Sequence, residues 1–189
     1  IWRIGDSAAA PKFHVVAKPN DWSKTVREAA GRQGGLTETE QQRMEYWSAC
    51  AACFEATGSS LRQPATKPWG WHAWGIGKTG IQLCAKVSLR DDRCAIYLNL
   101  NGPHTQAHFQ LLLDQRAEIE SELGSTLEWD GSGREHRIVL SRAADLLDRD
   151  RWPEQHRWIH DTLLLFKRVF ESRVRKLDPS AWDGTGDDR

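Results

Sequence analysis

Several spacings in this sequence could support chemistry, and each points to a different reaction. Gly75-Ile76-Gly77-Lys78-Thr79 ends as a phosphate-binding loop does. That motif also needs a glycine at position 72, which is His72, and a helix behind it whose first amides hold the phosphate. An alternating, strand-like segment follows instead. Cys50 and Cys53 have the spacing of a redox or zinc pair. Tetrahedral zinc takes two further ligands, and Cys84 and Cys94 fall on opposite faces of their own hairpin. His104 and His108, and His156 and His160, are each four apart on one helical face, as a two-histidine metal site requires, but neither pair has a glutamate between its members. Lys86 sits on a strand as a phosphodiester-cleaving lysine would, yet Cys84 occupies the place of the carboxylate, and Asp91-Asp92 lies in a turn. Glu128 and Asp130 flank Trp129 without a partnered base. No Ser-His-Asp or Cys-His arrangement appears. The chain reads as non-catalytic, with no metal and no cofactor.

Binding chemistry is more legible. The polar side of residues 80–101 presents Lys86, Ser88 and Arg90 from one strand and Arg93, Tyr97 and Asn99 from the next. With Asp91-Asp92 as a two-residue turn, Arg90 lies opposite Arg93 and Lys86 opposite Tyr97. Facing arginines repel, and an anionic partner relieves them. Tyr97 and tryptophans of the 69–74 cluster add stacking surface for bases. The candidate nucleic-acid-binding set is therefore Lys78, Lys86, Arg90, Arg93, Tyr97, Asn99 and Trp74, with DNA or RNA as the partner.

The elements that hold these residues follow from periodicity. Residues 1–4 and 13–16 read as short extended pieces, and 22–30 as a helix. Thr37 with Glu40 is a capping box, and Met44, Trp47, Ala51 and Phe54 form one stripe behind it. Ile81 to Leu89 and Cys94 to Leu100 alternate with period two, giving a hairpin with one apolar and one polar face. A helix runs from Gly102-Pro103 to Gly124, a short strand covers 126–129, and its partner covers 136–140. Pro153 opens a long helix to about Leu177. The expected fold is α+β: one antiparallel or mixed sheet packed by three longer helices. Residues 1–36 read as a linker strand and short helix, 37–178 as the globular unit and 179–189 as an acidic flexible tail.

The 189 residues carry 26 basic and 26 acidic side chains, but unevenly. Residues 61–93 hold six basic and two acidic groups, whereas 94–133 hold one and six. Such alternation can fold into one basic and one acidic face, unlike the uniformly basic surface of a strong nucleic-acid binder. No apolar run is long enough to cross a membrane. Four cysteines without a framework suit a reducing, cytoplasmic compartment. The chain begins at Ile1 and its single methionine is Met44, so it reads as a piece of something longer.

Taken together, Arg3–Ser7, Ala10–Phe13 and Lys18–Trp22, with Tyr46-Trp47, Gly75-Ile76-Gly77, His108-Phe109, Ile119–Gly124 and Leu127-Glu128-Trp129, resemble the bacterial domain-of-unknown-function family 4268 over nearly the whole chain. The opening Arg3–Trp22 stretch is the most specific part. The resemblance implies a C-terminal domain that follows a PD-(D/E)XK nuclease-like domain in a DNA-acting protein of phage-defence type, and it carries over no catalytic residue. A recognition module is the first expectation. A homo-oligomerising assembly domain, using the apolar face of helix 153–177 or of helix 104–123, and a degenerate nuclease-like scaffold are the alternatives.

Overall fold

The computed structural model describes residues 35–61 and 64–184. The elements expected within 1–30 lie outside the described residues.

Helix α1 spans Glu38–Ala56, started by the capping box: Thr37 Oγ1 accepts from the Glu40 amide, and the Glu40 carboxylate accepts from the Thr37 amide. Its stripe of Met44, Trp47, Ala51 and Phe54 is buried. Strands β1 (Trp71–Gly75), β2 (Ile81–Ser88) and β3 (Arg93–Leu100) follow, then α2 (Thr105–Leu113), α3 (Arg116–Leu123), β4 (Glu128–Asp130), β5 (His136–Ala143) and α4 (Trp152–Lys176). Short 3-10 turns cover Arg149–Arg151 and Pro179–Ala181, the second capped by the Asp178 side chain. The strands form one sheet, antiparallel throughout, in the order β1-β2-β3-β5-β4. The α+β expectation holds.

One face of that sheet is the core. Ile81, Leu83, Ala85 and Val87 of β2 pair with Leu100, Leu98, Ile96 and Cys94 of β3, and all eight are buried. Ile159, Leu163, Phe166, Phe170 and Val174 of α4 are buried in the same cluster, and α4 touches α1, α3, β2 and β3. Phe109 of α2 meets Trp129 and His136 edge-on, on that same face. The apolar stripes expected to serve an oligomer are therefore consumed inside the domain: Phe109, Leu112, Ile119 and Leu123 are buried too. Arg173 ties α4 to α3 through two hydrogen bonds to Glu122 (3.0 and 2.6 Å).

Three elements differ from their expected form. The helix expected over 104–123 is two helices, because the Gln115 amide turns back to the Leu112 carbonyl and its side chain donates to the Leu111 carbonyl. The Trp69–Trp74 cluster, read above only as stacking surface, contributes β1. The hairpin turn is four residues, not two: Ser88 pairs with Arg93, and Leu89–Asp92 loop out. The Ser88 hydroxyl donates to Asp91 Oδ2 (2.7 Å) and accepts from the Asp91 amide (3.2 Å), which closes this loop. Lys86 thus lies opposite Ala95, Tyr97 opposite Cys84, and Arg90 faces no arginine. A shift of two residues leaves every side chain on its expected face.

Gly80, at φ +83°, turns the chain into β2, and a Cβ there would stand 2.6 Å from the Asn101 carbonyl oxygen. That carbonyl belongs to backbone already tied to Gly80, whose own carbonyl accepts from the Asn101 amide at 2.7 Å. Gly80→Ala therefore costs about 1–3 kcal/mol of stability, read as a lowered thermal midpoint. An unchanged midpoint would show that the β2 entry relaxes freely.

Candidate functional site

Every helix among the described residues lies on the core side, and none of them covers the second face of the sheet. Its side chains fall in rows set by the strand register. Ser88 and Arg93 lead to Ala143, and Trp71, Lys86, Ala95 and Ser141 make the next row. Ala73, Cys84, Tyr97, Val139 and Glu128 make the third, and Gly75, Gln82, Asn99, Arg137 and Asp130 the fourth. Small side chains at 84, 95, 139 and 141 form the floor of a trough of about 680 Å3. Twist and the larger residues at either side raise its walls.

Both signs of charge line the trough: Lys86, Arg93 and Arg137 against Asp91, Glu128, Asp130 and Glu135. They are partly segregated. Lys86 and Arg93 of β2 and β3 stand with Trp71 and Tyr97, Glu128, Asp130 and Glu135 gather around β4 and the start of β5, and Asp91 lies in the β2–β3 turn. Arg137 joins the halves: its Nε donates to Asn99 Oδ1 (3.3 Å), its Nη2 donates to Glu135 (3.0 Å), and its guanidinium lies 5.9 Å from the Tyr97 ring centre. The Ser132 hydroxyl and amide donate to Asp130 Oδ1 and hold its carboxyl below the usual carboxylate range.

Of the expected site residues, Lys86, Arg93, Tyr97 and Asn99 come together on this face, Asn99 being only 7% exposed. Arg90 is exposed in the turn beyond it. Two residues are placed elsewhere. Lys78 donates to the Leu177 carbonyl at 2.8 Å, on the far side of the β1–β2 connection, because the chain leaves β1 at Gly75 and folds toward the end of α4. Trp74 has the opposite strand parity and packs against the core. Alternation within the hairpin was enough to find the first four. Trp71, Arg137, Glu128 and Asp130 were missed, since only the pairings of β1, β4 and β5 bring them to the face.

Burial pushes the Cys84 and Cys94 thiols up to about 12 and the Cys50 thiol well above its ordinary value, so none is a thiolate nucleophile near neutral pH. His156 lies edge-on to Tyr46 and His160 to Phe54. Among the described residues no three His, Cys, Asp or Glu side chains converge as metal ligands would.

The family model for a domain of unknown function, DUF4268, matches residues 42–174. The chain belongs to the DUF4268 family. The match spans α1 to α4 and leaves out the Arg3–Trp22 stretch, so the DUF4268 unit is the sheet and helices described above. No curated protein matches the chain. A solved structure, "Structure of the HopA1-SchA Chaperone-Effector Complex", aligns with a TM-score of 0.39 and 16% identity over 72% of this chain and 98% of that one. No helix of this DUF4268 domain, among the described residues, is long and apolar enough to cross a membrane.

Proposed function

We propose that this domain is a non-catalytic recognition module that binds a polypeptide on the side of its sheet that no described helix covers. The observation that carries the reading is the charge balance of the trough, three cations and four carboxylates over a floor of small side chains. A polyanion gains from a continuous cationic surface and is repelled by the β4 half. A polypeptide can match both halves and bury the floor. The resemblance also implies a nuclease-like domain ahead of this one. On this reading the module supplies that domain with a protein contact and leaves the reaction to it.

Nucleic acid is the second reading, favoured by Trp71, Lys86, Arg93 and Tyr97 on adjacent rows. A fluorescence titration with single-stranded DNA and RNA oligonucleotides at about 0.15 M salt separates the two. The expected result is no saturable complex, for the parent or for a Lys86→Glu, Arg90→Glu, Arg93→Glu variant. A saturable complex that this variant loses and a Glu128→Lys, Asp130→Lys variant tightens would replace the polypeptide with nucleic acid.

A further inference from the structure

The polypeptide reading leaves open where the partner chain attaches, and β1 supplies an answer. The Val87 amide donates to the Gly70 carbonyl (2.7 Å), and the register continues as Trp71 with Lys86, Ala73 with Cys84 and Gly75 with Gln82. In an antiparallel ladder the bonded pairs are then 70/87, 72/85 and 74/83. The N–H and C=O groups of Trp71, Ala73 and Gly75 are directed away from β2, along the outer side of the sheet. Among the described residues no strand pairs with that side. Unpaired edges are usually blunted by a charge or a proline within the strand. The β1 sequence Trp-His-Ala-Trp-Gly has neither.

Charge selects what can pair there. The sequence has no Asp or Glu between Glu55 and Asp91, a stretch that includes β1 and all of β2. Lys67 Nζ stands 4.2 Å over the Trp69 ring, and Lys86 is the cross-strand neighbour of Trp71. Trp69 and Trp71 stack at 5.5 Å between ring centres and remain 47% and 43% exposed. We infer that the outer edge of β1 docks an extended, acidic polypeptide segment, which adds to the sheet as a further strand and lies along this tryptophan pair. This rests on the polypeptide reading and names its partner. A second copy of the chain would bring a second acid-free edge, with no carboxylate from residues 56–90 to meet Lys67 or Lys86. A nucleic-acid backbone lacks the alternating donors and acceptors that the edge presents.

The test is selection from a phage-displayed library of random dodecapeptides on the immobilised domain, followed by affinity measurement with the enriched peptides. Ala73→Pro deletes one outward N–H and no ladder bond, so the fold is retained while the edge is blocked. Lys67→Glu, Lys86→Glu tests charge independently of that substitution. The inference expects enriched peptides of net negative charge, at least ten-fold weaker binding to both variants, and slowed amide exchange at Trp71, Ala73 and Gly75. Peptides that bind Ala73→Pro as well as the parent, with protection confined to the trough around Tyr97 and Arg137, overturn the edge and leave the polypeptide reading standing. Enrichment of neutral or basic peptides overturns the acidic partner. A dimer in light scattering that Ala73→Pro makes monomeric, with no peptide enriched, assigns the edge to self-pairing. Failure to enrich any peptide, with a monomeric domain, removes both the edge and the reading beneath it.

Discussion

Acidification from pH 7 to pH 4 is expected to cost the domain about 6 kcal/mol of stability through two buried histidines. His72 and His156 are buried, and desolvation lowers both pKa values to about 4. His72 lies against the Trp47 ring and His156 against Tyr46, and the Nε2 atom of each is buried without a hydrogen-bond partner among the described residues. In the unfolded chain an imidazole takes up its proton near pH 6.5. Between that value and about 4 the unfolded state therefore binds more protons than the folded one, and stability falls as pH falls. Integrated to pH 4, each histidine costs about 3 kcal/mol, a total of about 6 against a whole-domain stability on the order of 5–15. The carboxylates held low by hydrogen bonds, Glu120 and Glu122 among them, extend the loss further toward acid. Denaturant titrations at several pH values measure the slope directly. His72→Phe and His156→Phe should each remove about half of the dependence between pH 6.5 and 4. A stability that is flat across that window would place both rings in contact with water.

Phe166→Ala is expected to cost about 3–5 kcal/mol. Its side chain is fully buried on α4, 5.4 Å from Phe170 between ring centres, in the cluster that joins the helix to the sheet. Truncation leaves a cavity where the helix bears on the sheet, and such a layer collapses poorly. Denaturant unfolding with an unchanged slope and a lowered midpoint would report the loss. A midpoint equal to the parent's would remove α4 from the core.

What the sequence revealed follows the range of the interactions that decide each element. The α1 start is written in Thr37 and Glu40, three residues apart, and needs nothing else. The hairpin faces are written in a two-residue period, which survives an error in the turn. The turn itself was misjudged because Ser88 reaches Asp91, a side-chain choice that competes with the shorter Asp-Asp connection. β1 was invisible for a different reason: Trp-His-Ala-Trp-Gly carries no strand period, and only β2 makes it extended. The same non-local pairing hid half of the trough. Glu128 and Asp130 reach the same face as Arg137 and the residues of β3 only because β5 lies between β3 and β4. The resemblance identified the family correctly but placed its most specific residues in the opening stretch, where the family match does not reach.

The position of α4 in the chain has a consequence for synthesis. It follows every strand, yet it covers the apolar side of β2 and β3 and touches α1 and α3. A ribosome making this chain in order, at about 5–20 residues per second, therefore releases the whole sheet before its main cover exists. For those seconds the nascent domain exposes Ile81, Leu83, Ile96 and Leu98, the surface that chaperones bind and that aggregation starts from. A nascent chain stalled before Trp152 should accordingly be captured by trigger-type chaperones, and one stalled well after Lys176 should be released.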